Sequence, residues 1–538
     1  MKLIFSILFL QFIAFAKVEI DVTQIVQNNE QEQNYKTVIK NLNGKENKYY
    51  ELKPIVLEVE PLEEECIEIE EIHFRGATIY SQEFLKKLTK NYLNTCNGIK
   101  KLNNLTYKIT NMYIKKGYIT SRAYLKMQDL SGGEVTIDII EGKINKIKAK
   151  NLYVGNTFSS LEGKILNIRD LEVGVQEHER LKSSNVILKL FPSKKIGYTN
   201  ILIYGKKTAS PLNGKITLTK YTSKNLGNLQ ISSNISYDNP FNLNDIITVS
   251  FNTTNKAFDK DNNLKGYTIN YGIPYLRNYF SFGYSGFSYK QNILNRDKNY
   301  VPIQGDTKQY HLAYKYKLYH DKNNKISFNL GYASKESVYY NNGILATLDT
   351  SNTNNISLSL LHSYIANNSN YYMNFTINKS TNKNVEENSQ INFGLDIAYT
   401  TKPLIGYNIT TSNLLHFLYT KKQKLGAGQI NVGGNYSVRG FTNNGLSGYI
   451  GGFLRNTFSY ANNISNLILA PYLGLDIGYI SDTTEDVNPG MIIGSSFGMA
   501  FIYKKHSIKT YFNVPLKHTS ETEKYKQTNT GISYEYKF

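Results

Sequence analysis

NYSVRGFTNNGLSGYIGGFLRNTF, Asn435–Phe458, is the stretch on which the reading of this chain turns. At its core, Val438-Arg439-Gly440-Phe441 sets a strong cation on a backbone that can approach other backbone closely. Such a cation asks for a fixed carboxylate. Downstream, Pro471–Ile480 reads PYLGLDIGYI and places one acid, Asp476, in the middle of an otherwise apolar and aromatic strand. An inward-facing Asp in such a wall costs free energy unless it is paired, so Arg439 is its expected partner. Taken without its surroundings, Arg439 would read as a solvated loop arginine.

The ordered pair resembles a known signature. A V-R-G-[FY] tetrad followed by G-x-D-x-G, here Gly474, Asp476 and Gly478, is similar to the outer-membrane assembly and secretion superfamily of barrels. The resemblance implies that the long sixth extracellular loop folds back into the lumen, where Val438, Arg439, Gly440 and Phe441 anchor it against the inner wall. One departure stands out. The strand after the tetrad often carries Arg-Asn-Glu in this superfamily, and here it reads Arg455-Asn456-Thr457, so any role of that glutamate is open.

Working outward, Pro211–Phe538 reads as alternating strands. Tyr310, Leu312, Tyr314, Tyr316 and Leu318 fall on one face and His311, Ala313, Lys315 and Lys317 on the other; Ile326, Phe328 and Leu330 repeat the period, as do Ile356, Leu358 and Leu360. The chain has 44 Tyr, 25 Phe and no Trp, which suits a membrane β-barrel whose aromatic girdles are built from Tyr and Phe. No stretch after the N-terminus is apolar enough for a membrane helix. The resemblance implies an all-β transmembrane barrel of sixteen antiparallel strands over 209–538, with Ile231–Ser250 as its first hairpin. The end of the chain, with Tyr534, Tyr536 and the terminal Phe538, resembles the insertion signal of outer-membrane barrels and implies delivery by the barrel-assembly machinery into outer-membrane lipid.

Upstream, the composition turns to compact αβ patterns, twice in the order β-α-α-β-β. In the first, Ile67, Ile69 and Ile72–Phe74 suggest a strand, Leu85, Leu88 and Tyr92 a helix, and Leu105, Ile109 and Met112 a second helix stopped by Gly117; strands follow at Ala123–Met127 and Glu134–Glu141. In the second, Ile144–Tyr153 is a strand, Phe158–Leu166 a short helix, Arg169–Leu181 a longer one, and Val186–Pro192 with Thr199–Tyr204 a hairpin. Two such modules ahead of a barrel resemble the polypeptide-transport-associated (POTRA) domains of the same superfamily. Met112–Ile144 and Arg169–Pro192 are similar over their length to the two POTRA domains of two-partner secretion transporters, the haemolysin and adhesin exporters of ShlB/FhaC/HecB type. The expected domains are POTRA 1 at 61–142 and POTRA 2 at 143–208, both in the periplasm.

Residues 1–16 carry Lys2, an apolar run from Leu3 to Phe15 and Ala14-Phe15-Ala16, the pattern of a cleaved secretory signal. Residues 17–60 are polar. The resemblance implies a plug helix and linker there, and a disordered leader is the alternative. The two cysteines, Cys66 and Cys96, both lie in the first module, and in an exported protein they can close a disulfide. No His lies at ligand spacing from either, so no metal is expected.

The formal charge of +19 would suit a nucleic-acid binder. The Lys and Arg are scattered among Asn, Ser and Tyr, no nucleic-acid-binding motif is present, and an exported chain does not meet nucleic acid; a basic lumen or loops facing anionic lipid account for the charge more simply. The sequence carries no G-x-x-x-x-G-K-[ST] loop, H-E-x-x-H or G-x-S-x-G elbow, so neither an enzyme nor a cofactor is expected. The resemblance implies an outer-membrane transporter of a large secreted exoprotein, an adhesin or haemolysin. Its first POTRA domain would capture the cargo at the strand edge Ala123, Leu125 and Met127 and the groove under Ile109 and Tyr113. The alternative is a factor that assembles other barrels into the membrane; a passive porin would lack the two modules.

Overall fold

The computed structural model describes residues 53–55, 66–220, 227–294, 300–321, 323–345, 351–366, 368–383, 389–401, 408–421, 428–441, 446–481, 489–518 and 528–538. The expected signal at 1–16 lies outside these residues, as does the expected plug and linker over 17–60 apart from Lys53–Ile55.

The first module comprises β1 (Glu71–Arg75), α1 (Gln82–Thr89), α2 (Ile99–Lys115), β2 (Arg122–Leu125) and β3 (Glu134–Ile140). Ser81 begins α1 by accepting the amide of Phe84 at 3.2 Å. Leu102, Leu105, Ile109 and Tyr113 recur every three or four residues along α2, and this stripe is buried against the sheet. Gly117, with φ +97°, ends the helix. The sheet order is β1-β3-β2, with β1 parallel and β2 antiparallel to β3, so β2 is an edge strand. The first helix is shorter than its expected stripe: it stops at Thr89, Leu88 is exposed and Tyr92 sits in a 3-10 turn. Cys66 and Cys96 are joined, with Cα atoms 5.3 Å apart, and their bridge pins the short Ile67–Glu68 and Cys96–Asn97 ladder.

The second module comprises β4 (Lys143–Lys150), α3 (Gly155–Phe158), α4 (Ile168–Glu179), β5 (Ser184–Pro192) and β6 (Tyr198–Lys207), with β6 central in the sheet. The short helix expected over Phe158–Leu166 lies earlier, at Gly155–Phe158. After it the chain turns through Gly163, at φ +78°, to exchange backbone bonds with Ile144, which a helix could not do.

The remainder closes into a barrel of sixteen long antiparallel strands, with two short segments, Ile344–Leu345 and Asn462–Ile464, in its hairpins. The first strand is Leu212–Lys220 and the last Asn529–Lys537. They meet at a seam running from Ile532 opposite Lys220 to Lys537 opposite Lys215, finished by the Phe538 amide donating to Gly214 at 3.0 Å. The hairpin Ile231–Ser250 is therefore not the first pair but joins the second and third strands, because Leu212–Lys220 precedes it. Strand length varies around the wall, from nine residues at the seam to 21 in Tyr300–His320. Side chains alternate as period 2 requires: in Leu467–Ile480, Leu473, Leu475, Ile477 and Tyr479 are exposed on the outer face while Asp476 and Ile480 are buried inside. The expected alternation in Tyr300–His320 holds until Leu318, where a register shift turns both Leu318 and Tyr319 outward.

The second module is seated against the turns at the end of the barrel where the first strand begins. Asp170 meets Arg277 at 2.6 Å, Arg180 donates to the Asn244 carbonyl at 2.5 Å, Ser183 donates its amide to Asp238 at 2.9 Å, and Glu177 pairs with Lys317.

Candidate functional site

Two short segments, Ile430–Val432 and Leu446–Gly448, pair as an antiparallel hairpin inside the barrel. Their apolar side chains, with Val438 and Phe441, pack against the inner-wall residues Leu414, Phe453, Ile480 and Ile492. The apolar side chains of this long segment thus have a wall to bury against, which holds the tetrad in place.

There Arg439 and Asp476 meet, as their residue types demand. The guanidinium donates from Nε to Asp476 Oδ2 at 2.6 Å and from Nη2 to Oδ1 at 2.7 Å, a two-pronged pair, and the Arg439 backbone amide adds a third bond to Oδ2 at 3.0 Å. Both side chains are nearly sealed from solvent, at 5 and 0% exposure, so the dielectric is low and a missing partner would be costly. Nη2 also donates to the Asn456 carbonyl at 2.8 Å and to Thr457 Oγ1 at 3.2 Å. At Thr457 a neutral hydroxyl accepts from the guanidinium, and Asp476 supplies the paired charge. Arg455 donates to the Asn435 carbonyl, tying the start of the tetrad segment to the same wall.

The glycines around the acid are a matter of space. A Cβ at Gly474 would overlap the guanidinium, and one at Gly478 would overlap Val432 and Val438. Gly440 has φ +91° and lies on the backbone of Val514 and Pro515, so both its dihedral and its surroundings exclude a side chain. Sequence reading missed Gly494, on the next strand over, where a Cβ would strike the Arg439 carbonyl. Its only signal was one glycine among several in Gly490–Tyr503.

The residues expected to take cargo divide. Ala123 and Leu125 lie on the edge strand β2, but the Ala123 amide already donates to Thr110 Oγ1 at 2.9 Å. By the alternation of an antiparallel ladder, Leu125 is the next residue whose backbone points away from β3. Met127 is fully exposed beyond the end of β2. There the Gln128 side-chain amide takes over the pairing with Thr136, accepting its N–H at 2.7 Å and donating to its carbonyl at 2.9 Å. Ile109 and Tyr113 are fully buried in the core of the first module, so neither lines an open groove. The helical stripe that suggested a groove is the face that packs on the sheet.

Tyr113 has another task. Its hydroxyl donates to Glu141 at 2.7 Å, and the amides of Thr78 and Ile79 and the Thr78 hydroxyl converge on the same carboxylate. Burial opposes ionisation of Glu141, but these donors outweigh it and hold the carboxyl below its ordinary range. Burial and the bond to Glu141 push the Tyr113 phenol up. Asp138, on the sheet face, is held down by Arg75 at 2.5 Å and Lys126 at 2.9 Å. Among the described residues no group of His, Cys, Asp and Glu is placed to hold a metal.

Tyr534, Tyr536 and Phe538 lie along the closing strand in the same outward register as exposed Ile532, while Glu535 alternates inward and meets Lys215 at 3.0 Å.

Comparison with known proteins agrees with this geometry. The model for the haemolysin secretion/activation protein ShlB/FhaC/HecB matches residues 197–501, and POTRA models match 67–142 and 136–192. The outer membrane transporter CdiB of Dickeya dadantii (strain 3937) is 28% identical over 408 residues, covering 73% of this chain and 72% of its own. The hemolysin transporter protein ShlB of Serratia marcescens is 27% identical over 461 residues, covering 83 and 81%. The solved structure of CdiB from Escherichia coli shares the fold, with a TM-score of 0.82 over 98% of both chains at 21% identity. With a family model spanning more than half of its length and the barrel, inner loop and paired modules that go with it, the chain belongs to the haemolysin secretion/activation family ShlB/FhaC/HecB.

Proposed function

We propose that this chain is a two-partner secretion transporter of the bacterial outer membrane that passes one large exoprotein, of the adhesin or haemolysin class, to the cell surface. Its relatives are outer-membrane transporters. The observation that carries the reading is the loop folded into the lumen and fastened to the wall by Arg439 and Asp476, above two periplasmic POTRA domains. A closed sixteen-stranded wall leaves a passage wide enough for an extended chain once the inner loop moves.

The division goes with this reading: signal 1–16, N-terminal segment 17–60, POTRA 1 at 61–142, POTRA 2 at 143–208 and barrel 209–538. Cargo arrives unfolded and adds to the β2 edge at Leu125, where backbone donors and acceptors accept an extended chain whatever its sequence. Folding outside the cell supplies direction.

The test is a deletion strain. One large exoprotein should vanish from the medium and return on complementation, while the outer-membrane protein profile stays unchanged. Normal secretion by the deletion strain would overturn the reading, and a general loss of outer-membrane barrels would replace it with an assembly factor.

A further inference from the structure

Outside the barrel, one residue of the N-terminal segment is held by the first POTRA domain in a way its own chemistry does not require. The Ile55 amide donates to Asn111 Oδ1 at 2.8 Å, and Asn111 Nδ2 donates back to the Ile55 carbonyl at 2.9 Å. A carboxamide thus meets both backbone groups of one residue, the exchange that a neighbouring strand makes in an antiparallel ladder. Gln128 does the same to Thr136, completing the ladder where β2 ends. Such a clamp reads no side chain. Any extended residue presenting its N–H and C=O would fit it.

Its position gives the clamp a meaning. Tyr107, Thr110, Asn111 and Ile114 share one flank of α2 by helical spacing. Thr110 touches β2 directly through the Ala123 amide, so this flank borders the edge strand. Asn111 is partly exposed, and Leu125 is the next β2 residue with outward backbone.

We infer that Asn111 is a backbone-reading clamp beside the β2 edge, occupied at rest by the chain's own linker at Ile55, and that cargo must displace the linker to dock. This deepens the proposed capture at POTRA 1 and rests on it. The linker acts as a built-in competitor: it shields an edge that would otherwise pair with stray strands, and it gives way to a chain that can also pair with β2.

The test uses the full-length transporter in detergent and two readouts. A spin label at Lys53→Cys reports the linker, and binding of the purified N-terminal secretion domain of the exoprotein that the deletion strain fails to export reports capture. Asn111→Ala and Ile55→Pro, which removes the Ile55 amide donor, should both mobilise the label. Ile55→Pro should also tighten the secretion domain by about 3- to 10-fold, the gain expected when a site is roughly 70 to 90% self-occupied. Asn111→Ala should bind more weakly than Ile55→Pro, because cargo loses the same clamp. A label equally mobile in wild type and Asn111→Ala would overturn the clamp. Equal affinity of wild type and Ile55→Pro would overturn the competition while leaving capture intact. Binding to neither transporter would overturn capture at POTRA 1, and the competition with it.

Discussion

Asp476→Ala should be more damaging than Arg439→Ala, although the two residues form one pair. Removing the arginine side chain deletes the Nε and Nη2 bonds but leaves the residue 439 amide donating to Asp476 Oδ2, so the acid keeps one donor. Removing the acid deletes all three of its own bonds to the loop and leaves a guanidinium at 5% exposure with only the Asn456 carbonyl and Thr457 hydroxyl. Breaking a buried pair from one side costs about 3 to 5 kcal/mol, and Asp476→Ala belongs at the upper end. A loss of that size at a single attachment loosens the loop without unfolding a wall held by sixteen ladders. Both variants should therefore insert and resist SDS below their melting temperature on heat-modifiability gels. Both should open the lumen, read as higher conductance in planar bilayers, and export little exoprotein, with Asp476→Ala the lower. Asp476→Asn, which keeps acceptor and shape but not charge, should fall between wild type and Asp476→Ala. Wild-type export by both alanine variants would refute the reasoning, and so would a barrel that melts early with normal export, since the pair would then only brace the wall.

Cys96→Ser should destabilise the first POTRA domain by about 3.6 kcal/mol, the chain-entropy value for a closed loop of roughly 30 residues, without affecting barrel insertion; thiol mapping of outer-membrane material should find Cys66 and Cys96 bridged in the wild type. Leu125→Pro should remove the outward donor on β2 and abolish binding of the secretion domain, while Met127→Ala, beyond the strand, should bind like wild type. His178 lies buried beside Phe158 and Thr157, and burial, aided by Arg180 and opposed by Glu177, pushes it down to about 4. Against about 6.5 in the unfolded chain, its contribution is complete above pH 6.5 and is lost as pH falls to 4, a change of about 3 kcal/mol. Hydrogen exchange of α4 should show this loss, and His178→Gln should flatten it.

The parts legible in the sequence were those whose physics is local. Alternation within a strand put Asp476 on the opposite face from Leu475 and Ile477, and an acid among apolar residues called for a cation. The anchor's remaining parts depend on which strands become neighbours: Gly494 and Thr457 matter because two further strands pass within reach of Arg439, and no period in their own sequences records that. Ile109 and Tyr113 show a different limit. An apolar helical stripe has the same spacing whether it fills a core or lines a groove, and here the sheet of the first module covers it. The hairpin at Ile231–Ser250 is placed first by resemblance, although Leu212–Lys220 ahead of it already alternates Leu212, Ile216 and Leu218 with polar residues.

The short seam has a mechanical consequence. At roughly 3.3 Å per residue and a tilt near 40°, the nine-residue strands Leu212–Lys220 and Asn529–Lys537 rise only about 23 Å, while the 21 residues of Tyr300–His320 rise about 53 Å. A barrel's apolar band is about 25 Å tall, so on the long side the wall overtops the lipid and at the seam it barely spans it. Lipid beside the closing strand must shorten to match, at a cost of a fraction of a kcal/mol per Å, and that strain is confined to one side of the molecule. The transporter therefore sits in the bilayer as a tilted cylinder would, with its thinnest lipid along the line where its first and last strands meet.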